Sequence, residues 1–369
     1  SETMASYLVT PKPPLYINIP QSSSTAKVRV IDTVTNLYLN SELFWQPKLP
    51  GFDGLFVPIY SFLISSGERH VIFDLGVRRD WENYSPRVAA LIKNTTNVER
   101  GRNVADILDS DNCGVGITSK DIEAVIWSHG HFDHIGDPST FPPSTDLVVG
   151  PGTSKKYFPG YPTNPDALVR DSDVEGRNVR EIEFKEDGPM IGRFPAMDYF
   201  GDGSFYLLDA PGHDTGHLCG FVRVTSSPDS FIFIGADACH HPGVLRPTEY
   251  LPLPSAISPS PIQRLSPGSC PGSLIQEIHP KKCADKPFFE VGNTIIVSDH
   301  DAALETVKKI EELDAAENIF IILTHDASLR DEIDLYPKTI NDWKVKKYRS
   351  NTRWLFLKDF KDCFEGDCQ

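Results

Sequence analysis

The stretch Ala124-Val125-Ile126-Trp127-Ser128-His129-Gly130-His131-Phe132-Asp133-His134-Ile135-Gly136 decides the reading of this chain. An unbroken apolar run, 124–127, reads as a buried strand, and the loop that follows carries three imidazoles and a carboxylate in six positions. Imidazole nitrogen and carboxylate oxygen suit zinc, and also iron or manganese. The spacing is too dense for one ion to use all four side chains. It suits two ions side by side, with His129 and His131 turned one way and Asp133 and His134 the other. The whole chain holds 11 histidines, so clustering of three by composition alone is improbable.

Working outward, further candidates stand in the same kind of place. Phe205-Tyr206-Leu207-Leu208 precedes Pro211-Gly212-His213, Phe231-Ile232-Phe233-Ile234 precedes Asp237, and Ile319-Phe320-Ile321-Ile322-Leu323 precedes Thr324-His325. Strands of one sheet system that end on the same side would gather His213, Asp237 and His325 at the 129–134 loop. Unlike ligands drawn from several strand ends are how a preorganised site is built on rigid elements. Asp237 offers two oxygens and can bridge two ions.

Other elements follow from pattern. Strands are expected at 28–34, at 56–64 as one element, at 70–73 after the turn Ser66-Gly67-Glu68, at 146–150 and at 219–224. Residues 80–110 look partly helical, with Val88, Leu91 and Ile92 on one side. Thr118 to Asp121 resembles a helix start. Residues 301–314 read as a helix with Leu304, Val307, Ile310 and Leu313 on one face and Glu305 paired with Lys309. Residues 1–25 are an irregular lead-in and 26–369 a single domain. The ten prolines between 242 and 287 exclude long regular elements there, so that stretch reads as a surface excursion, which should cover the site as a lid.

At 369 residues, with 40% hydrophobic and 24% charged residues, the composition is that of a globular protein. The net charge of −15 disfavours nucleic acid and an anionic membrane surface, both of which need Lys/Arg excess. Seven cysteines without a C-x-x-C pair read as reduced thiols in the cytoplasm, with Cys270–Cys283 and Cys363–Cys368 as the conceivable pairings. Met4 is taken as the native start. No secretory signal and no membrane span are recognisable.

His-x-His-x-Asp-His followed by His, Asp and His, with Phe-Asp-Leu-Gly at 73–76, resembles the metallo-β-lactamase superfamily. The likeness is greatest to the acyl-homoserine lactonase branch and its fungal relatives that open lactone or lactam rings. That resemblance implies an αβ/βα sandwich of two mixed sheets with outer helices, in accord with the element order. It implies two Zn2+ ions, one held by His129, His131 and His213, the other by Asp133, His134 and His325, with Asp237 bridging. Asp74 would orient a ligand imidazole by accepting its outer N–H. The implied activity is opening of a small cyclic amide or ester by a water held between the ions, with Asp133 passing the proton to the leaving atom.

The chain departs from the lactonases three residues beyond Asp237. His240 stands where they carry a tyrosine that polarises the carbonyl. An imidazole can donate the same hydrogen bond, and its shorter reach suits a compact ring. His217 reads as structural, held by a backbone partner; His70, His279 and His300 read as ordinary polar residues; His241 is loop or pocket. Trp81 and Tyr84 are candidates for an opposite pocket wall. The alternatives are a thioesterase of the same fold, a diiron redox protein, against which the intact His131 argues, and a non-catalytic metal-stabilised binding protein. The expected partner is a small-molecule substrate.

Overall fold

The computed structural model describes residues 6–364. Two six-stranded mixed sheets form its centre. The first runs in the order Lys27–Asp32, Tyr60–Ser66, Arg69–Phe73, Ala124–Ile126, Asp146–Val149, Val179–Glu181. Its first two pairings are antiparallel and the remaining three parallel. The second runs Met190–Ile191, Phe194–Asp198, Phe205–Asp209, Leu218–Thr225, Ser230–Ala236, Ile319–Leu323. It is antiparallel until its last pair, which is parallel and is joined through the helix His300–Asp314.

Alternation explains why these strands read as unbroken apolar runs. Phe62, Ile64, Val71, Phe73, Ala124 and Ile126 enter one cluster with Leu207, Val222, Ile232, Ile234 and Ile322, which is the core between the sheets. Their sequence neighbours Leu63, Ile72, Val125 and Trp127 enter the other cluster with helix residues Val88, Ile92 and Val104. A strand covered on both faces has no polar side, so period-two patterning disappears. The expected sandwich with helices outside is therefore present.

Several expectations change. The run 56–64 is two strands, Gly54–Val57 and Tyr60–Ser66, in different sheets. Pro58 supplies no backbone donor, and the first piece pairs instead with Asn36–Asn40 in a three-stranded sheet that also includes Val98–Glu99. In the helix Pro86–Thr95, Val88 and Ile92 are buried but Leu91 is 44% exposed. In His300–Asp314 the face Val307, Ile310, Leu313 is buried as read, but Glu305 pairs with Arg193, and Lys309 lies over the Phe194 ring.

The 242–287 stretch holds only a 3-10 turn, a two-residue strand pair and the helix Gly272–Ile278. It is not simply surface: Leu245, Leu253, Ile262, Cys270 and Ile275 are buried. The lead-in is pinned along it, Leu8 N–H donating to Leu253 O and Lys12 N–H to Glu249 O. Cys270 and Cys283 are both free thiols. Met4 and the Cys368 partner of Cys363 lie outside the described residues.

Candidate metal centre

Every candidate ligand follows the end of a central strand, and all of these ends lie on one edge of the sandwich. Asp74 leaves Arg69–Phe73, His129 follows Ala124–Ile126, His213 follows Phe205–Asp209, Asp237 follows Ser230–Ala236 and His325 follows Ile319–Leu323. His131 stands at the N-cap of the one-turn helix Phe132–Ile135, and Asp133 and His134 lie within it. Two backbone positions beside the site lie in the left-handed region without being glycine: Asp74 at φ 63° and Ala236 at φ 46°. Ala236 also sits at a register shift, which ends the strand and swings Asp237 inward. Gly130 is required for space, because a Cβ there would lie 2.3 Å from the Tyr157 ring.

The side chains converge as two groups that share one carboxylate: His129, His131, His213 and Asp237, and Asp133, His134, Asp237 and His325, with ligand atoms within 4.8 Å of one another in each. Asp237 Oδ2 is 3.5 Å from His129 Nε2, 3.4 Å from His213 Nε2 and 3.0 Å from His134 Nε2. Its Oδ1 lies 3.2 Å from His325 Nε2, which is 3.1 Å from Asp133 Oδ2. His131 Nδ1 and His213 Nε2 face each other at 3.0 Å.

The outer nitrogens are held from behind. Asp74 Oδ2 is 2.7 Å from His134 Nδ1, and the same carboxylate accepts from Ser128 N–H and Oγ–H, each at 2.7 Å. His129 Nδ1 meets Ser128 Oγ at 2.9 Å, and His325 Nδ1–H donates to Pro58 O at 2.9 Å. Such outer bonds fix ring orientation and tautomer. Asp74 thus stands behind the His134 ring, on its Nδ1 side. What remains inside is unpaired: His129 Nε2, His134 Nε2, His325 Nε2 and Asp237 Oδ1 are buried and make no hydrogen bond. Buried polar atoms are seldom left so. Imidazole and carboxylate atoms that converge on each other unpaired are the donor set of borderline divalent ions, so the residues fit the metals expected of them.

Electrostatics agrees. Burial pushes His129 well below the ordinary imidazole range and His131 down to about 4, leaving neutral rings. Burial opposes charge on Asp133 and Asp237 also, yet the surrounding imidazoles, His134 foremost, hold both well below the carboxylate range. His134 is driven well above its usual value and His325 up to about 9; burial works against both, and Asp237 is the first neighbour to outweigh it. Those are protons that bound cations displace.

His217 is structural as read: its Nδ1–H donates to Ala210 O at 2.8 Å. Its Nε2 accepts from Asp237 N–H at 3.1 Å, which ties it to the backbone of the residue that carries the shared carboxylate. His240 lies over His325 at 5.5 Å between ring centroids, with Nε2 3.1 Å from Asp237 Oδ2. His241 is not in the pocket. It bonds Asp359 at 2.9 Å and packs among Trp45, Phe52, Phe289, Phe356 and Phe360. His70, His279 and His300 bond Ser65, Lys286 O and Val291 O, away from the cluster.

Sequence reasoning missed Asp214. It is buried, accepts from Tyr157 Oη at 2.6 Å, pairs with Lys156, and lies 3.9 Å from the outer Nε2 of His131. The signal was available: an acid between two histidines in Gly212-His213-Asp214-Thr215-Gly216-His217.

A cavity of about 240 Å³ opens over the cluster. His131, Asp133, His213, Asp237 and His240 form its floor. Its walls come from the strand Asn36–Asn40, Phe44, the helix Pro86–Thr95, Phe132, Leu168 and the Ile295-Ile296 loop. Neither the 242–287 stretch nor Trp81 and Tyr84 lines it. Tyr84 instead donates to Phe132 O at 2.5 Å and props the metal loop from beneath.

Two facing mixed sheets with a His/Asp cluster of this order at their common edge define a metallo-hydrolase of the β-lactamase type. The profile of the Metallo-beta-lactamase superfamily matches residues 54–225. The chain belongs to that superfamily, and it is 58% identical over 351 residues to "Metallo-hydrolase mfmC" of Annulohypoxylon moriforme, covering 95% of this chain and 92% of that protein. "Gamma-lactamase FDB1" of Fusarium pseudograminearum is 42% identical over 93% of this chain and 84% of its own length. "Cytochrome P450 monooxygenase mpaDE'" of Penicillium brevicompactum is 52% identical over 96% of this chain, which spans 39% of that longer protein. The fold is shared with the crystal structure of B. thuringiensis AiiA holding N-decanoyl-L-homoserine. The TM-score is 0.54 and the identity 17%, over 86% of this chain and all of that one.

Proposed function

We propose that the protein is a zinc-dependent hydrolase that opens a small cyclic amide or ester. The observation that carries this reading is the pair of His/Asp groups sharing Asp237, buried and with inward atoms unpaired. His129, His131 and His213 would hold one ion, Asp133, His134 and His325 the other, and Asp237 both. Bound there, two ions would supply Lewis acidity at the scissile carbonyl and lower the pKa of a nearby water.

The chain's own residues do the rest. Water oxygen adds to the carbonyl carbon, the ring C–N or C–O bond breaks, and the water proton is carried by Asp133 to the leaving atom. Asp133 lies on the cavity floor. His240, also on the floor, has its Nε2 3.1 Å from Asp237 Oδ2; with that carboxylate taken up by the ions, its N–H would turn to the carbonyl oxygen as negative charge develops there. Asp74 and Ser128 keep His134 and His129 aimed inward.

The lactamase name of the Fusarium relative and the ligand named in the AiiA structure support ring opening over thioester hydrolysis. The cavity supports it too, since among the described residues no lysine or arginine lines it for a phosphate-bearing carrier. Free thiols throughout the described cysteines fit the cytoplasmic setting expected of the chain, and no described helix is long and apolar enough to cross a membrane. The test is zinc-loaded protein assayed on matched lactone, lactam and thioester panels with and without chelator. Chelator-sensitive ring opening is the expected result. Thioester turnover exceeding both rings, or turnover indifferent to chelator, overturns the reading.

A further inference from the structure

A second cavity, of about 540 Å³, shares no described residue with the one over the cluster. Its volume is in the range of small-molecule sites. One wall is the helix His300–Asp314, where Leu304, Val307, Lys308 and Glu311 fall at i, i+3, i+4 and i+7 and so share one stripe. The other wall is the segment 281–291, which closes the proline-rich stretch. The lining is apolar at depth: Val244, Phe288, Phe289, Val291 and Val307 are each buried.

Charge at this cavity runs against that of the molecule. The chain carries −15, yet Lys281, Lys286 and Lys308 all line it. The three are exposed, and among the described residues none of their ammonium groups makes an ion pair or a hydrogen bond. A lone surface lysine is an ordinary solvated charge. Two of these are instead fixed from beneath. The buried His279 accepts from Lys281 N–H at its Nδ1, at 3.0 Å, and donates from its Nε2 to Lys286 O at 2.7 Å. One imidazole thus holds the backbone of both lysines.

Two carboxyls also line the cavity. Glu290 accepts from Gln46 Nε2 at 2.7 Å. Glu311 has no hydrogen-bond or ion-pair partner among the described residues. Burial first and Asp314 next push its carboxyl up to about 8, against Lys308 and with Glu249 and Glu312. Near pH 7 it is mostly a neutral donor and does not repel an anion.

We infer that this cavity binds an amphipathic anion, its apolar body on Phe288, Phe289 and Val307 and its carboxylate or phosphate head among Lys281, Lys286 and Lys308. The body gains by leaving water, and the head meets cations from both walls. No metal chemistry enters, so the inference is independent of the ring-opening reading.

The test titrates zinc-loaded full-length protein at pH 7 with octanoate, octyl phosphate and octan-1-ol by isothermal calorimetry. At least one of the anions is expected to bind at one equivalent per chain and roughly tenfold or more tighter than the alcohol. The tighter anion names the head. Lys281→Ala and Lys308→Ala should each weaken that anion by roughly three- to tenfold and leave the alcohol and the metal content unchanged. Both positions are exposed, so folding is retained. Added salt should weaken the anion and spare the alcohol. An anion held at the metal centre instead would be indifferent to both lysine substitutions. That indifference, or anions that bind no tighter than octan-1-ol, overturns the inference.

Discussion

At the residue scale, Asp237 and two of the histidines that touch it, His217 and His240, separate three kinds of role. Asp237 belongs to both ligand groups. Asp237→Ala is expected to reduce kcat/KM by several orders of magnitude and to lower bound metal. His217 bonds Ala210 O and the Asp237 N–H, and reaches no metal position. His217→Ala leaves that buried N–H unpaired, so it should cost about 1–3 kcal/mol of stability and a smaller part of the activity. Denaturant titration beside kinetics and elemental analysis distinguishes the two; equal losses of rate at equal metal content would reverse the assignment. His240 differs from both. Its ring lies on the cavity floor, 3.1 Å from Asp237 but outside both ligand groups. His240→Ala should therefore lower kcat/KM by roughly ten- to a thousand-fold, the scale of one lost carbonyl-stabilising donor, with metal content intact. An unchanged rate would make His240 loop, and lost metal would make it a ligand.

At the element scale, what was legible is what the backbone period writes into one segment. Apolar runs 205–208, 231–234 and 319–323 mark strands buried on both faces, and His213, Asp237 and His325, the histidine or aspartate a few residues past each run, mark the site edge. What was not legible is contact between segments distant in sequence. The three-stranded sheet pairs Leu37 with Val57 and with Val98, and nothing local announces that the 56–64 run breaks at Pro58-Ile59 to make it. For the same reason the lid expected of 242–287 fails. Proline content shows that the stretch is irregular, but not that the residues flanking it, His241 and Phe288, are held at the C-terminal 3-10 helix Leu355–Phe360, through His241–Asp359 and Phe288–Phe360, away from the cluster. The helix His300–Asp314 offers an element-scale test. Glu311 is half-buried, and burial first, then the neighbouring Asp314, pushes its carboxyl up to about 8. The folded state thus binds this proton more tightly than the unfolded chain. The contribution is fully present below the unfolded value of about 4.5 and is lost as pH rises through 8. Glu311→Gln should be more thermostable than wild type above pH 8 and lose its advantage below pH 4.5. Parallel Tm–pH curves for the two proteins would contradict the burial argument.

At the scale of the whole molecule, the cluster ties together segments that separately have little reason to meet. His129 and His134 come from the first sheet's edge, His213, Asp237 and His325 from the second, and Asp237 lies within 3.0–3.5 Å of imidazoles from both. Without cations the two sheets close at this edge on two carboxylates, Asp133 and Asp237, and several inward-facing ring atoms with no hydrogen-bond partner. Cations that satisfy those atoms bind the folded chain far better than the unfolded one, and linkage converts that preference into stability, about 4 kcal/mol for one site at a thousand times its Kd. Gently purified protein is therefore expected to contain two equivalents of metal, most of it zinc. Exhaustive chelation should lower Tm as well as abolish activity, and zinc should restore both. The two groups share only Asp237, so His131→Ala should retain close to one equivalent while Asp237→Ala approaches none. One equivalent or none in the wild type, with no rise in Tm on zinc addition, would show that the converging atoms are stabilised by something other than two ions.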